Sequence, residues 1–232
     1  ITDGDKCYQA TVVLGAATVT DDVEGEVIST ADTSAITDTQ IHGELSKMRG
    51  TIMQRPSSVS AVKIDGERAY DRVRSGEEVV LPSREVTITQ LDVLAIRRLE
   101  KGIEIDIEVT CSSGTFIRAI ARDCGDALGV GGHLNSLRRS RVAGFGLDRA
   151  VTLEQLKSGD FSTLDLADVA RATFAVREIA MDEKLELSFG RTLAANPDDQ
   201  IYAGISATNE LIALLQNVGG KAKPIAVFAA AQ

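Results

Sequence analysis

Tryptophan is missing from this 232-residue chain, and all aromatics together make up 4% of it. Extended platforms of stacked rings, on which single-stranded nucleic acid is held base by base, are therefore excluded. Cysteine is sparse. Cys7, Cys111 and Cys124 show no C-x-x-C and no metal-type spacing, and an odd, scattered set of thiols fits a reducing cytoplasm better than a disulfide framework. No apolar run approaches the ~18–20 residues of a membrane span. Neither G-x-x-x-x-G-K-[ST] nor G-x-G-x-x-G occurs, and GVGGH at 129–133 reads as a helix C-cap and turn.

What is present is a soluble-type composition, 44% hydrophobic, with a formal net charge of -9. That balance argues against a nucleic-acid partner only until its distribution is read. Residues 1–40 carry eight acidic side chains against Lys6 alone. Residues 49–74 reverse this, with Arg49, Arg55, Lys63, Arg68, Arg72 and Arg74 against Asp65, Glu67 and Asp71. Residues 110–150 hold Arg118, Arg122, Arg138, Arg139, Arg141 and Arg149 against three Asp. Two basic islands in an acidic chain are compatible with a local polyanion site.

YQATVVLGAAT reads as a strand running into a Gly15 turn, followed by the acidic turn TDDVEGEV. TDTQIHGELSKMRG has helix character, capped by Thr37 or Asp38 and ended by Gly50. Ile103, Ile105, Ile107, Val109 and Cys111 alternate with Glu104, Asp106, Glu108 and Thr110, the pattern of a half-buried strand. EKG at 100–102 joins it to REVTITQLDVLAI as a hairpin. Ser112 and Ser113 offer N-caps for a helix over about 115–128 with Phe116, Ile117, Ile120, Ala121, Cys124 and Leu128 on its apolar face. Asp148 and Asp165 read as N-caps of short helices. After about residue 176 the text turns to short β-like runs, read as a second, small β-rich domain.

Arg118 falls in the first turn of the 115–128 helix, where the dipole disfavours cations by ~0.3–1 kcal/mol. Set among Phe116, Ile117, Ala119 and Ile120, it either swings out to solvent or requires an anionic partner. Tyr8 is by default a strand packing residue, and a ring there can also lie under a nucleobase. A triad of Ser112, His133 and Asp123 has no G-x-S-x-G context.

Three segments, in this order, resemble the bacterial tRNA pseudouridine synthase B family: DKCYQATVVLGAATVTDDVEGEV, RPSSVSAVKIDGERAYDRVRSGEEV and CSSGTFIRAIARDCGDALGVGGHLNSLRRSRVAGFGLDRAVTL. The resemblance implies an α+β fold: a mixed, largely antiparallel sheet with flanking helices over residues 1–176, then a PUA-like RNA-binding domain over 177–232. It implies isomerisation of the T-loop uridine, uridine 55 of tRNA, to pseudouridine, without cofactor or metal, by a cytoplasmic monomer that extrudes the base. The family nucleophile is an Asp in G-x-L-D-P-x-A-x-G. No Asp here is followed by Pro-x-Ala-x-Gly, which makes the chain an N-terminally truncated member, inactive alone and binding tRNA weakly. By resemblance Tyr8, in K-x-Y, stacks on the flipped uracil and is a candidate to take the carbon-bound proton. Arg118 pairs with the nucleophilic Asp, Leu137 walls the base pocket, and Phe116 stands where a relative carries Tyr, keeping a ring and losing a hydroxyl. The excursion over 53–82 resembles an RNA-gripping loop, with Arg55, Lys63, Arg68 and Arg72 as phosphate contacts. A non-catalytic tRNA-binding or tRNA-folding protein on the same scaffold is the alternative.

Overall fold

The computed structural model describes residues 4–57, 63–64, 67–68, 81–197 and 200–229. The chain forms two compact units, 1–142 and 143–232. The first holds strands β1 (Lys6–Leu14), β2 (Ala16–Thr18), β3 (Val27–Thr30), β4 (Gly50–Gln54), β5 (Lys63–Ile64), β6 (Glu67–Arg68), β7 (Arg84–Arg98), β8 (Ile103–Cys111) and β9 (Gly132–Val142). Its helices are α1 (Asp38–Lys47) and α2 (Ile117–Ala127). The main sheet runs β9-β1-β8-β7-β4, with antiparallel neighbours throughout.

The alternation in β8 does what its pattern requires. Ile103, Ile105, Ile107 and Val109 are fully buried and meet Ala10, Val12 and Leu14 of β1 across the ladder. On the same face lie Ile41 and Leu45 of α1 and Ile120, Ala121 and Cys124 of α2. Each fully buried Ile contributes about 1.5–3 kcal/mol. Burial pushes the Cys124 thiol up to about 12, with Glu44 adding to the shift, so the group packs as an apolar side chain. The opposite face is polar: Thr11 donates to Asp106 at 2.8 Å and accepts from Ser136 at 2.9 Å, and Arg97 bridges Asp106 and Glu104.

Helix α1 starts on Thr37, which forms a capping box with Gln40. Helix α2 begins differently from the sequence expectation. Its N-cap is Phe116, with no side-chain cap, because the Ser112 hydroxyl instead accepts from the Thr87 N–H at 3.0 Å. Its C-terminal end agrees with expectation, since Gly129 takes a positive φ of 74°. Two other glycines set how closely α2 lies on β9. A Cβ on Gly125 would stand 2.2 Å from the Gly132 nitrogen, and one on Gly132 would stand 2.3 Å from the Ala121 carbonyl oxygen. Backbone touches backbone there, a contact no larger residue permits.

In the second unit β10 (Phe145–Gly146), α3 (Leu153–Ser158), α4 (Leu166–Arg171), β11 (Ala175–Ile179), α5 (Met181–Ser188), β12 (Leu193–Ala194), β13 (Tyr202–Ser206), β14 (Leu211–Val218) and β15 (Lys221–Val227) follow in order. The sheet β11-β13-β14-β15-β12 is antiparallel except for the β11–β13 pair. Asp165 caps α4 as its position suggested, whereas the 3-10 turn over Leu147–Arg149 has Gly146 at its N-cap and no side-chain cap from Asp148. The line at 176 expected from the sequence falls inside β11, and Ala167 and Ala170 of α4 pack on Ala203, Ile205 and Leu211 of the same sheet. No helix among the described residues is long and apolar enough to cross a membrane.

Candidate active site

The basic stretch in the second half of β9 acquires its geometry from register. Ala10 pairs with Leu137 and Tyr8 with Arg139, while Thr11 pairs with Ser136 and Gln9 with Arg138. Side chains alternate faces along a strand, so Leu137 and Arg139 share the core side with Tyr8, and Ser136 and Arg138 lie on the other. Irregularities between Cys7 and Tyr8 and between Thr11 and Val12 bracket this stretch, each leaving one extra residue on β9.

Beside Tyr8 is a cavity of about 180 Å³, lined by Tyr8, Ser57, Thr115, Phe116, Ile117, Arg118 and Leu137. Four residues singled out from sequence, drawn from β1, α2 and β9, thus meet in one place. Leu137 is 50% exposed, so its wall is open to an incoming ligand. Phe116 is fixed by a residue the sequence did not flag. The amide of Gln54, 1% exposed, accepts from the Phe116 N–H at 2.9 Å and donates to its carbonyl at 3.4 Å. The backbone that enters α2 is thereby tied to β4.

Arg118, second residue of α2, does not swing into bulk water. Its Nη1 donates to Asp22 Oδ2 at 2.8 Å and to the Thr20 carbonyl at 3.0 Å, and its side chain is 30% exposed. A carboxylate inside this chain, Asp22, therefore partners it and keeps it out of bulk solvent. Asp22 is itself held: its Oδ1 accepts from Thr20 Oγ1 at 2.5 Å and from the Glu24 N–H at 3.2 Å. The turn carrying it is pinned to β9, with Val23 N–H donating to the Leu134 carbonyl at 2.8 Å and Leu134 N–H to the Asp21 carbonyl at 3.0 Å. The acidic run TDDVEGEV gave no cue beyond a solvated turn, because the cation it meets is 96 residues away.

The other phosphate-contact candidates are less gathered. Arg55 is exposed just past β4. Lys63 and Arg68 are backbone partners in the short β5–β6 ladder. Arg72 lies outside the described residues. His133 Nδ1 contacts the Ala16 carbonyl at 2.9 Å from a buried position.

With this geometry in hand, the comparisons with known proteins are direct. Residues 1–117 match the model of the TruB family pseudouridylate synthase N-terminal domain. The chain belongs to that family. Residues 118–184 match the tRNA pseudouridylate synthase B C-terminal domain, and 174–229 the C-terminal model of tRNA pseudouridine synthase II. The tRNA pseudouridine synthase B of Arthrobacter sp. (strain FB24) is 49% identical over 97% of this chain and 76% of its own length. That of Paenarthrobacter aurescens (strain TC1) is 46% identical over 97% and 75%. In fold, this TruB family chain is similar to a protein from the crystal structure of a Cbf5-Nop10-Gar1 complex, with a TM-score of 0.68 at 20% identity over 100% of the chain and 68% of that one. A chain from an H/ACA RNP bound to a substrate RNA containing 2'-deoxyuridine gives 0.67 at 18% identity, over 99% and 68%. The α+β architecture with a β-rich C-terminal part expected from the sequence is the fold found.

Proposed function

We propose that this chain acts on tRNA, isomerising the T-loop uridine at position 55 to pseudouridine. The observation that carries the reading is the single cavity in which Tyr8, Phe116, Arg118 and Leu137 converge from three separate segments. A base flipped out of the RNA enters it, with the Tyr8 ring on one side and the Leu137 side chain on another. The reaction balances as an isomerisation: the N1–C1′ bond breaks, the uracil turns, a C5–C1′ bond forms, the C5 proton leaves to a base, and N1, freed from C1′, takes up a proton. Tyr8 is placed against the ring and is the candidate to accept that proton.

The step needs a carboxylate nucleophile at C1′. No Asp of the 232 residues sits in the family motif, and we assign the nucleophile to sequence outside them. Arg118 is its proposed partner. A guanidinium has five N–H donors and can serve more than one carboxylate at once. Asp22 and the Thr20 carbonyl fix its orientation in advance, so little reorganisation remains when the nucleophile's charge arrives. Arg55, Lys63, Arg68 and Arg72 are proposed to grip backbone phosphates, residues 177–232 to add RNA contacts as a PUA-like module, and the protein to work as a monomer.

Release of tritium from tRNA labelled at uracil C5 tests the reading. The 232-residue chain alone should bind tRNA detectably and release no tritium, while the full-length protein containing the Asp motif should release it. Turnover by the 232 residues alone would refute placing the nucleophile outside them. Binding without release by the full-length protein would favour a non-catalytic tRNA-folding role.

A further inference from the structure

One helical turn beyond Arg118, on the same side of α2, is a second arginine that the reaction as described does not use. The Arg122 side chain is 12% exposed, and its guanidinium is shared among three chain segments. Nη1 donates to Asp21 Oδ2 at 3.1 Å, in the acidic turn. Nη2 donates to the Arg55 carbonyl at 2.8 Å, at the exit of β4. Nε donates to Asp123 Oδ1 at 2.9 Å within α2 itself. Asp21, 13% exposed, uses the same Oδ2 to accept from Ser57 Oγ at 2.5 Å. Ser57 is 2% exposed and lines the base cavity.

Of these segments, one lends Ser57 to the cavity wall and another carries the carboxylate that holds Arg118. Asp21 precedes Asp22, the partner of Arg118, and turns the chain with a left-handed φ of 58°, a region that Asp enters more readily than most non-glycine residues. Ser57 follows Arg55 by two residues. A planar fork can tie both to the helix; a point charge cannot do so with the same geometry.

We propose that Arg122 is a positioning residue for the base pocket: through Asp21 and the Arg55 carbonyl it fixes Asp22 against Arg118 and Ser57 against the cavity. It touches neither base nor ribose. Displacing the reacting groups by about 1 Å costs roughly 10²-fold in rate, and a partial loosening should cost less.

The inference rests on the isomerase reading and is tested in the full-length protein with two separate readouts. Under single turnover, Arg122→Met should slow tritium release about tenfold while the tRNA dissociation constant stays within about twofold. Arg122→Lys should recover only part of the rate, and Asp21→Asn combined with Arg122→Met should be no slower than Arg122→Met alone. Hydrogen exchange should accelerate in peptides spanning 18–25 and 52–57 and stay unchanged in 103–111. A rate loss matched by equal loss of tRNA affinity would make Arg122 a phosphate contact and overturn the proposal; so would additive losses, or native exchange in both peptides. If the Met variant does not fold, the Lys variant decides by the same criteria. Should the unsubstituted protein release no tritium, the isomerase reading fails, and the exchange data still decide whether Arg122 holds the two segments.

Discussion

Arg118 and Arg122 on α2, and Arg138 and Arg139 on β9, are pairs of the same residue in one basic island, and the fold treats them oppositely. Four residues apart on a helix, the first pair shares a face. Both members are drawn into carboxylates, Asp22 for Arg118 and Asp21 and Asp123 for Arg122. Adjacent on a strand, the second pair is split by the pleat. Arg139 lies across from Tyr8 on the pocket side, and Arg138 lies across from Gln9 on the other, in a groove with Asp106 and Ser136. A count of positive charge therefore says little about an RNA surface. The helical pair is engaged by carboxylates of this chain, and one strand arginine of two lies on the pocket's side of the sheet.

The sharpest way to break that contrast is at Arg118. Arg118→Lys keeps the charge and loses the planar guanidinium whose Nη1 meets both Asp22 and the Thr20 carbonyl. In the full-length enzyme tritium release should fall by about 10²–10³-fold, the scale of losing one preorganised electrostatic donor, while tRNA binding stays within about twofold. A matching fall in affinity would place the guanidinium on a phosphate and dissolve the distinction between the two pairs.

The helix and strand that carry the two pairs are held together at Gly125 and Gly132. Gly125→Ala drives a methyl into the backbone at Gly131 and Gly132, where nothing flexible can yield. The expected loss is about 3 kcal/mol, at the upper end of overpacking costs, read as a lowered urea midpoint. Gly129→Ala, beside it, has open space and pays only for its positive φ of 74°; by the steric cost of left-handed backbone it should lose roughly 1–2 kcal/mol. Equal losses at both sites would remove the close contact as the reason for this packing.

Between the strand arginines the contrast is finer. Arg139→Ala should weaken tRNA binding several-fold and lower the salt slope by about one unit, whereas Arg138→Ala should leave both unchanged. Equal effects from the two would mean that RNA reaches both faces of the sheet, contrary to the register.

Much of this was legible in the sequence where a short-range pattern fixes the answer. The alternation of Ile103 to Cys111, the Thr37 cap of α1 and the Gly129 stop of α2 each depend on neighbours within a few residues. The cavity's apolar members were legible for another reason, the resemblance of long specific segments. What could not be read was the polar partnership. Asp22, Gln54 and Ser57 meet Arg118, Phe116 and Asp21 at separations of 96, 62 and 36 residues, and no local pattern marks them. Ser112 shows the same limit in reverse: a good capping residue by position was taken instead by the Thr87 N–H of a neighbouring strand. Long-range hydrogen bonds outcompete local ones when the tertiary fold delivers a donor that would otherwise lie unsatisfied.

The smallest expected effect lies on the polar face that Arg138 shares. Asp106 is held below the usual carboxylate value of 3.8 first by Arg97, with burial opposing and the Thr11 hydroxyl assisting. A depressed folded-state pKa means that the native protein binds fewer protons than the unfolded chain in this range. The carboxylate's contribution is therefore present above 3.8 and is lost as the pH falls through the lower folded value. Asp106→Asn should lower the thermal midpoint slightly at neutral pH, and its gap from the parent should close as the pH drops below 3.8. Because the Arg97 and Asp106 side chains are 44% and 31% exposed, solvent and salt screen the pair, and raising the salt at neutral pH should narrow the gap too. A gap that ignored both pH and salt would show that Asp106 serves only as a hydrogen-bond acceptor for Thr11. The polar face would then owe nothing to the charge that separates it from the pocket side.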